Sequence, residues 1–163
     1  MSQTVTESIV LPASPELVWE TIMDPSRLGD WVTTHVDVEA DSPGPVGEGD
    51  SFRQRLRLSG KAFDVDWKVV EARAPRIALW RGEGPAGSVA EVSYRLEPAG
   101  GATRFDYSNS FALPGGVLGE LAGGAFAATS GRREARRSLE NLRRLLEHLD
   151  SPTSSTGPNG GKE

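Results

Sequence analysis

The sequence predicts an α+β domain in which an antiparallel sheet of six to seven strands is covered by one long C-terminal helix. From about residue 36 to residue 113, apolar and polar residues alternate with a period of two, which is typical of half-buried strands. From about residue 117 to residue 149 the period becomes 3.6, as in an amphipathic helix. Helix-start signals between the first strand and this region predict two further short helices.

The length of 163 residues suits one domain, over residues 1–150. Residues 151–163 contain mostly Ser, Thr, Gly and Pro with little to bury, and we expect a disordered tail. The N-terminus lacks a basic stretch followed by an apolar one, and no apolar run approaches the roughly 20 residues of a membrane span. The sequence therefore predicts a cytoplasmic protein.

Composition excludes several classes of chemistry. The absence of cysteine excludes disulfides, thiolate nucleophiles and Cys-ligated zinc or iron–sulfur centres. With two histidines and no suitable spacing of carboxylates, we expect no metal site, and no motif suggests a cofactor. The net charge of -5 argues against a nucleic-acid partner, because phosphate binding needs a basic surface. The sequence does not reveal the oligomeric state, which could be monomer or homodimer.

The first elements are predicted by their capping residues. Thr4 to Leu11 reads as an edge strand that ends at Pro12. Ser14-Pro15-Glu16 is a helix start, since Ser14 can accept a bond from an orphan N–H and Pro15 suits the first turn. Asp24-Pro25 repeats the signal, so a second short helix should run to Trp31 after a break.

Strand parity predicts which aromatic residues point towards the core. Trp67, Tyr94, Phe105, Tyr107 and Phe111 all fall on inward faces, and core packing is the simplest explanation for them. For Trp80 and Arg81 the sequence does not decide which one faces inward.

Polar groups on these inward faces admit two interpretations. Tyr94, Tyr107 and Asn109 each carry a polar group that needs a partner when buried. Either the core supplies that partner, or these side chains line a ligand cavity.

The last helix has two different halves. A stripe of Leu139, Leu142, Leu146 and Leu149 faces the core, whereas the segment around Gly119, Ala122, Gly124 and Ala128 is made of small residues that leave room for a close partner or a void. Counting back from Leu139 in helical steps places Arg132 on the buried stripe. Its side chain would then either extend to solvent or act as an anion or carbonyl clamp at a cavity.

A glycine-rich segment, Gly82-Glu83-Gly84-Pro85-Ala86-Gly87, fits the G-x-G-x-x-G pattern of dinucleotide-binding sites. Such a site requires the turn to open a helix, whose amides bind the pyrophosphate. Here the turn opens an alternating, strand-like segment, and Pro85 removes an amide donor. We interpret the segment as a hairpin turn.

The order of elements resembles that of the SRPBCC superfamily, which includes START lipid-transfer domains, pollen-allergen-like carriers and polyketide cyclase/dehydrase-like proteins. The resemblance covers roughly residues 3–149 and is carried by Leu11-Pro12-Ala13-Ser14-Pro15-Glu16-Leu17-Val18-Trp19, Asp24-Pro25-Ser26-Arg27-Leu28-Gly29-Asp30-Trp31, Tyr94-Arg95-Leu96-Glu97-Pro98 and Gly100-Gly101-Ala102-Thr103-Arg104. It is most similar to the polyketide cyclase/dehydrase-like branch. The resemblance implies a helix-grip fold, in which a curved sheet wraps around the last helix and encloses a hydrophobic cavity.

The expected ligand is therefore a hydrophobic small molecule such as a polyketide, a lipid or an aromatic metabolite. We expect the binding residues to be Trp31, Trp67, Tyr94, Tyr107, Asn109, Phe111, Ala122, Ala125, Phe126 and Thr129. If the protein is an enzyme of the cyclase/dehydratase kind, the candidate acid–base or clamp groups are His35, Tyr107 and Arg132. His35 lies where the helix pair meets the sheet, although a surface or capping role would also explain it. The alternative is a non-enzymatic regulatory or toxin-like interaction module.

Overall fold

The computed structural model describes residues 3–58, 60–112 and 124–150, and it describes side chains for 4–58, 60–112 and 131–149. Seven strands and three α-helices occur within these ranges: β1 (Gln3–Leu11), α1 (Pro15–Ile22), α2 (Leu28–Trp31), β2 (His35–Ala40), β3 (Ser51–Leu58), β4 (Lys61–Arg73), β5 (Ile77–Glu83), β6 (Val89–Ala99), β7 (Ala102–Ala112) and α3 (Gly124–Asp150). Short 3-10 turns occupy Pro25–Arg27 and Pro85–Gly87. The predicted helix-grip architecture is confirmed.

Both helix-start signals act as the sequence indicates. The Ser14 hydroxyl accepts a hydrogen bond from the Leu17 amide at 3.2 Å, and α1 begins at Pro15. The Asp24 carboxylate accepts a bond from the Ser26 amide at 3.0 Å, which starts a 3-10 turn that leads into α2. The break between the two helices turns the chain, so that the end of α2 faces the interior.

The sheet is antiparallel throughout, in the order β1-β7-β6-β5-β4-β3-β2. The first strand pairs with the last, from Gln3 opposite Phe111 to Leu11 opposite Thr103. The segment from Gly82 to Gly87 contains the end of β5 and the 3-10 turn that leads into β6, so it is a hairpin connection, as expected from its context. The free edge on the other side is β2, where the register shifts between His35 and Asp37.

Charged residues cover the outer face of the sheet. Arg53 pairs with Asp66 at 2.7 Å and Arg55 with Asp64 at 2.9 Å, each across the β3–β4 ladder. Exposed pairs of this kind contribute little to stability, about 0–1 kcal/mol each. Their main effect is to keep this face in water, so that the opposite, apolar face forms the core.

Helix α3 packs its apolar stripe against α2 and β1. Its contact with the turn after α2 is polar, because the Thr33 amide donates to the Ser138 hydroxyl at 3.1 Å. In addition, the Asn141 side-chain amide donates to the backbone carbonyl of Trp31 at 3.3 Å. These bonds fix where the helix crosses the end of α2, next to the interior.

The placement of Arg132 on the buried stripe is wrong, because its side chain is exposed. The stripe runs through Ala135, Ser138, Leu139, Leu142 and Leu146, whereas Leu149, which the sequence places on it, is 40% exposed. One turn earlier it continues to Gly131, four residues before Ala135, and not to Arg132, three residues before it. A Cβ at Gly131 would lie 3.5 Å from Val5, so the helix packs closely on β1 there.

Several sequence expectations lie outside the described residues. They are the small residues from Gly119 to Gly123 and the tail at 151–163. In the ranges that the structure does describe, no helix combines the length and apolar character needed to cross a bilayer.

Truncation of the helix stripe should destabilise the domain. Leu142 is completely buried, so Leu142→Ala is expected to lower the free energy of unfolding by about 2–5 kcal/mol in denaturant titrations. The matched control is Leu149→Ala, since Leu149 is 40% exposed on the same helix. Equal losses in the two variants would contradict the placement of the stripe.

Candidate functional site

The concave face of the sheet carries an aromatic cluster arranged around Tyr94. The ring centroid of Tyr94 lies 5.2 Å from that of Trp80 and 5.3 Å from that of Phe105. Trp31 approaches from the end of α2, at a centroid distance of 6.4 Å. The complete cluster consists of Trp31, Phe52, Trp67, Trp80, Tyr94, Phe105 and Tyr107. It joins α2 to five neighbouring strands.

Strand register brings these rings together. Tyr94 of β6 lies directly opposite Tyr107 of β7, and their rings stack at 6.0 Å. Phe52 of β3 is in the same way opposite Trp67 of β4. Directly opposed aromatic side chains on one face interact favourably, which stabilises this register over its neighbours.

A glycine makes room for one of the rings. Gly82 of β5 faces inward, and a Cβ placed there would lie 2.5 Å from Val65 Cγ1 and 2.8 Å from Trp67 Cε3. These distances are shorter than any van der Waals contact, so the indole of Trp67 occupies the space that a side chain at this position would need. The Trp67 ring therefore lies next to the β5 backbone at Gly82, with its centroid 6.1 Å from that of Trp80.

Two indole N–H groups of the cluster are buried without an acceptor among the described residues. Trp31 and Trp80 are each 2% exposed, and neither Nε1 has a hydrogen-bond partner among the described residues. Both rings contact Tyr94, one from the helix side and one from β5. A buried donor left unpaired costs about 1–3 kcal/mol, so these groups require an acceptor from another source.

Gln54 connects the cluster to His35. The indole Nε1 of Trp67 donates to Gln54 Oε1 at 2.9 Å. The Gln54 side-chain nitrogen lies 2.9 Å from His35 Nδ1. Gln54 is only 4% exposed, whereas His35, at the start of β2, is half-buried. The three side chains form a polar connection from the aromatic face to the junction of sheet and helices.

Burial sets the protonation state of His35. It lowers the pKa of His35 from the ordinary value of 6.5, and the charge of Asp37 opposes this by raising it. Burial is the larger of the two effects, so the neutral imidazole is favoured near pH 7. A neutral histidine has one donor and one acceptor nitrogen, which suits both hydrogen bonding and proton transfer.

Two polar residues of β7, Tyr107 and Asn109, form a hydrogen bond with each other. The Asn109 side-chain amide donates to the Tyr107 hydroxyl at 3.1 Å. Burial raises the pKa of Tyr107, an effect that this hydrogen bond opposes. Burial also raises the pKa of Tyr94 well above 10, with Tyr107 contributing in the same direction. Both phenols are therefore protonated at neutral pH, and they can act as donors and not as bases.

The remaining candidate residues are distributed more widely. Phe111 is half-buried towards the end of β7, at the margin of the core. Arg132 is exposed on α3, away from the aromatic cluster. Ala122 and the side chains of Ala125, Phe126 and Thr129 lie outside the described residues.

Sequence reasoning missed Gln54, Gly82 and the orientation of Trp80, which the structure places inward. Gln54 alternates with exposed arginines and shares its face with Phe52 and Leu56, and a polar residue in that position is a usable signal. In the sequence, Gly82 stands out only as part of a glycine-rich motif. Leu79 and Trp80 are both apolar, so parity alone cannot choose between them.

The fold is a helix-grip α+β domain whose concave sheet face carries the aromatic cluster. A family model described as "Polyketide cyclase / dehydrase and lipid transport" matches residues 2–147. The chain belongs to this family, and the resemblance inferred from its sequence is confirmed.

Individual relatives and solved structures match most of this chain. The "Uncharacterized protein Rv1546" of Mycobacterium tuberculosis (strain ATCC 25618 / H37Rv) is 26% identical over 139 residues, which cover 85% of this chain and 90% of that protein. "Toxin Rv0910" of the same strain is 25% identical over 135 residues, covering 83% and 92%. The crystal structure of the Zhui aromatase/cyclase from Streptomyces sp. R1128 superimposes with a TM-score of 0.74 at 16% identity and covers 91% and 95%. This last likeness establishes the fold alone.

A side chain at Gly82 should disturb the site. Gly82→Ala forces the new methyl group against Val65 and Trp67, and we expect it to lower the free energy of unfolding by about 1–3 kcal/mol. In Gly47→Ala the added Cβ meets only Asp50 Oδ2, at the ordinary distance of 3.8 Å, so the change should stay within about 0.5 kcal/mol. Denaturant titrations measure both, and an undisturbed Gly82→Ala variant would contradict the close approach of Trp67.

Protonation of His35 should weaken the fold. Since the folded-state pKa lies below 6.5, the unfolded chain binds more protons in that range, and stability falls as pH decreases from about 7 through 6.5 towards the lowered pKa. Unfolding free energies measured from pH 8 to pH 5 should show this loss in the wild type and a smaller loss in His35→Gln. His148→Gln removes the other histidine and is the matched control. A wild-type pH dependence retained in full by His35→Gln would contradict the assignment.

Proposed function

We propose that the protein binds a hydrophobic small molecule that carries hydrogen-bond acceptor oxygens, such as a polyketide or an aromatic ketone, against the concave face of the sheet. The observation that carries the proposal is the pair of buried indole N–H groups of Trp31 and Trp80 on two sides of Tyr94, which have no acceptor in the described part of the chain. Ligand sites are mostly apolar and contain a few polar groups that fix orientation, and this face has that composition.

The chemistry of the face favours an acceptor over a donor. Indole nitrogens donate only, and the phenols of Tyr94 and Tyr107 remain protonated because burial raises their pKa values. A carbonyl oxygen would satisfy such groups, whereas a hydrocarbon would leave them unpaired. Flat aromatic rings would in addition stack on or pack edge-on against the cluster.

Membership of the cyclase/dehydrase and lipid transport family supports ligand binding at the level of the family. For catalysis, the residues that fit are His35, as a neutral acid–base group, and Tyr107, as a proton donor. The exposure of Arg132 removes it from this set. A cyclase or dehydratase activity would then depend on His35 and Tyr107, and turnover in His35→Gln and Tyr107→Phe would test it.

The second candidate function is a regulatory or toxin-like protein interaction. It is favoured by the similarity to the mycobacterial protein named as a toxin. Purification from the native host followed by native mass spectrometry separates the two functions. A stoichiometric small molecule supports the ligand-binding proposal, and a tightly held protein partner with no small molecule supports the second.

A matched pair of probes tests the role of the indole donors. 2-Acetylnaphthalene and 2-ethylnaphthalene have similar shapes, but only the first carries a carbonyl oxygen. We expect the wild type to prefer 2-acetylnaphthalene in calorimetric titrations. Trp80→Phe and Trp31→Phe should each reduce that preference by about 2- to 10-fold, since one hydrogen bond is lost.

Trp19→Phe serves as the control, because Trp19 lies on α1 outside the aromatic cluster. It should keep the wild-type preference for the ketone. If both cluster variants also keep that preference, the indole groups do not contact the ligand. If the wild type binds neither probe, the proposed function loses its support.

A further inference from the structure

We infer that Gln54 is a positioning residue that holds His35 as its neutral Nε2–H tautomer, so that the Nε2 side of His35, beside Gly29, is a donor site for an acceptor oxygen of the ligand. The ligand part of this inference rests on the proposed function. The tautomer part stands on the hydrogen bonds alone.

The contact with Trp67 fixes the orientation of the Gln54 amide. Its oxygen and nitrogen are alike in size, so their positions follow from the partners that they meet. One partner is Trp67 Nε1, at 2.9 Å, and an indole N–H can only donate. The group facing Trp67 must therefore be Oε1, and Nε2 of the amide must point the other way.

The contact with Gln54 fixes which ring nitrogen of His35 carries the proton. The Gln54 Nε2 group points at His35 Nδ1 at 2.9 Å, and an amide NH2 can only donate. Nδ1 must therefore accept, which requires that it carries no proton. A neutral imidazole with a bare Nδ1 has its proton on Nε2.

The opposite tautomer of His35 would cost hydrogen bonds. If His35 Nδ1 carried a proton, its N–H would face the N–H of the Gln54 amide, donor against donor, unless that amide rotated by half a turn. That rotation would place NH2 against Trp67 Nε1 and leave both donors unpaired. Gln54 is only 4% exposed, so water does not easily replace the lost bonds. The buried indole of Trp67 thus determines, through Gln54, the tautomer of the half-buried His35.

His35 Nε2 lies beside Gly29 of α2. A Cβ on Gly29 of α2 would lie 3.2 Å from His35 Cδ2 and 3.7 Å from Nε2, so a larger residue would crowd this edge of the ring. Within the described part of the chain, Nε2 has no hydrogen-bond partner, while Nδ1 is engaged by Gln54. An N–H at Nε2 is therefore available to donate to a ketone or carboxylate oxygen.

Long-range 1H–15N correlation spectra of the imidazole test the tautomer without any ligand. We expect the wild type to show an unprotonated Nδ1 and a protonated Nε2. In Gln54→Glu the carboxylate still accepts from Trp67 but also accepts from His35, so Nδ1 should become protonated. In Gln54→Leu neither form is imposed, and a mixture is expected.

Two results would overturn the positioning role. One is a wild-type ring that carries its proton on Nδ1, and the other is a Gln54→Glu ring that keeps the wild-type tautomer in a folded protein. Gln54→Glu retains an acceptor for Trp67, so it remains informative even if Gln54→Leu fails to fold. Backbone amide spectra confirm that each variant is folded.

The ligand arm uses 2-acetylnaphthalene and 2-ethylnaphthalene with His35→Phe and Gly29→Ala. Both variants should lose about 2- to 10-fold in affinity for the ketone and little for the hydrocarbon, since they remove or crowd one donor. Equal affinities in wild type and both variants would overturn the donor site and leave the tautomer result intact. Failure of the wild type to bind either probe would instead count against the proposed function.

Discussion

The close approach of Trp67 to the backbone of β5 at Gly82 is the constraint on which the interior depends. Because no side chain intervenes, the indole lies next to the strand backbone, and its N–H reaches Gln54 at 2.9 Å. The same position brings its ring against Trp80. A larger residue at Gly82 would therefore disturb both the aromatic cluster and the polar connection to His35.

The interior contains buried hydrogen-bond donors that have no acceptor among the residues the structure describes. The buried N–H groups of Trp31 and Trp80 have no acceptor among the described residues, and the phenols of Tyr94 and Tyr107 are kept protonated by burial. A core selected only for stability would use phenylalanine in such places, since Phe carries no polar group that must be satisfied. Under the proposed function, a ligand that brings acceptor oxygens would pair with these donors.

Much of the fold could be predicted because its signals are local. Period-two alternation placed Trp67, Tyr94 and Phe105 inward, and capping residues marked the starts of both early helices. Helical counting was less reliable at Arg132, where steps of three and of four lead to different faces. The structure shows that the step of four leads to Gly131, which is half-buried and packs on Val5, whereas Arg132 is exposed.

The site could be predicted only in part, because its polar contacts join residues far apart in the chain. Trp67, Gln54 and His35 lie on three strands, and nothing in their spacing indicates that their side chains meet. Whether an inward indole N–H finds an acceptor is likewise a property of three-dimensional packing. Strand parity in the sequence identifies the residues that face the interior, but it does not show which of them form hydrogen bonds with one another.

The free edge of the sheet has a consequence for the behaviour of the protein at high concentration. An exposed strand edge is a template on which another chain can add a strand and begin aggregation. In β2 the register shift after His35 distorts this template, and Asp37 and Glu39 are exposed along it. Antiparallel pairing of two copies centred on Val38 would set Asp37 of one against Glu39 of the other, and like charges in that position repel. The edge strand that begins with a site residue thus also discourages growth of the sheet into fibrils.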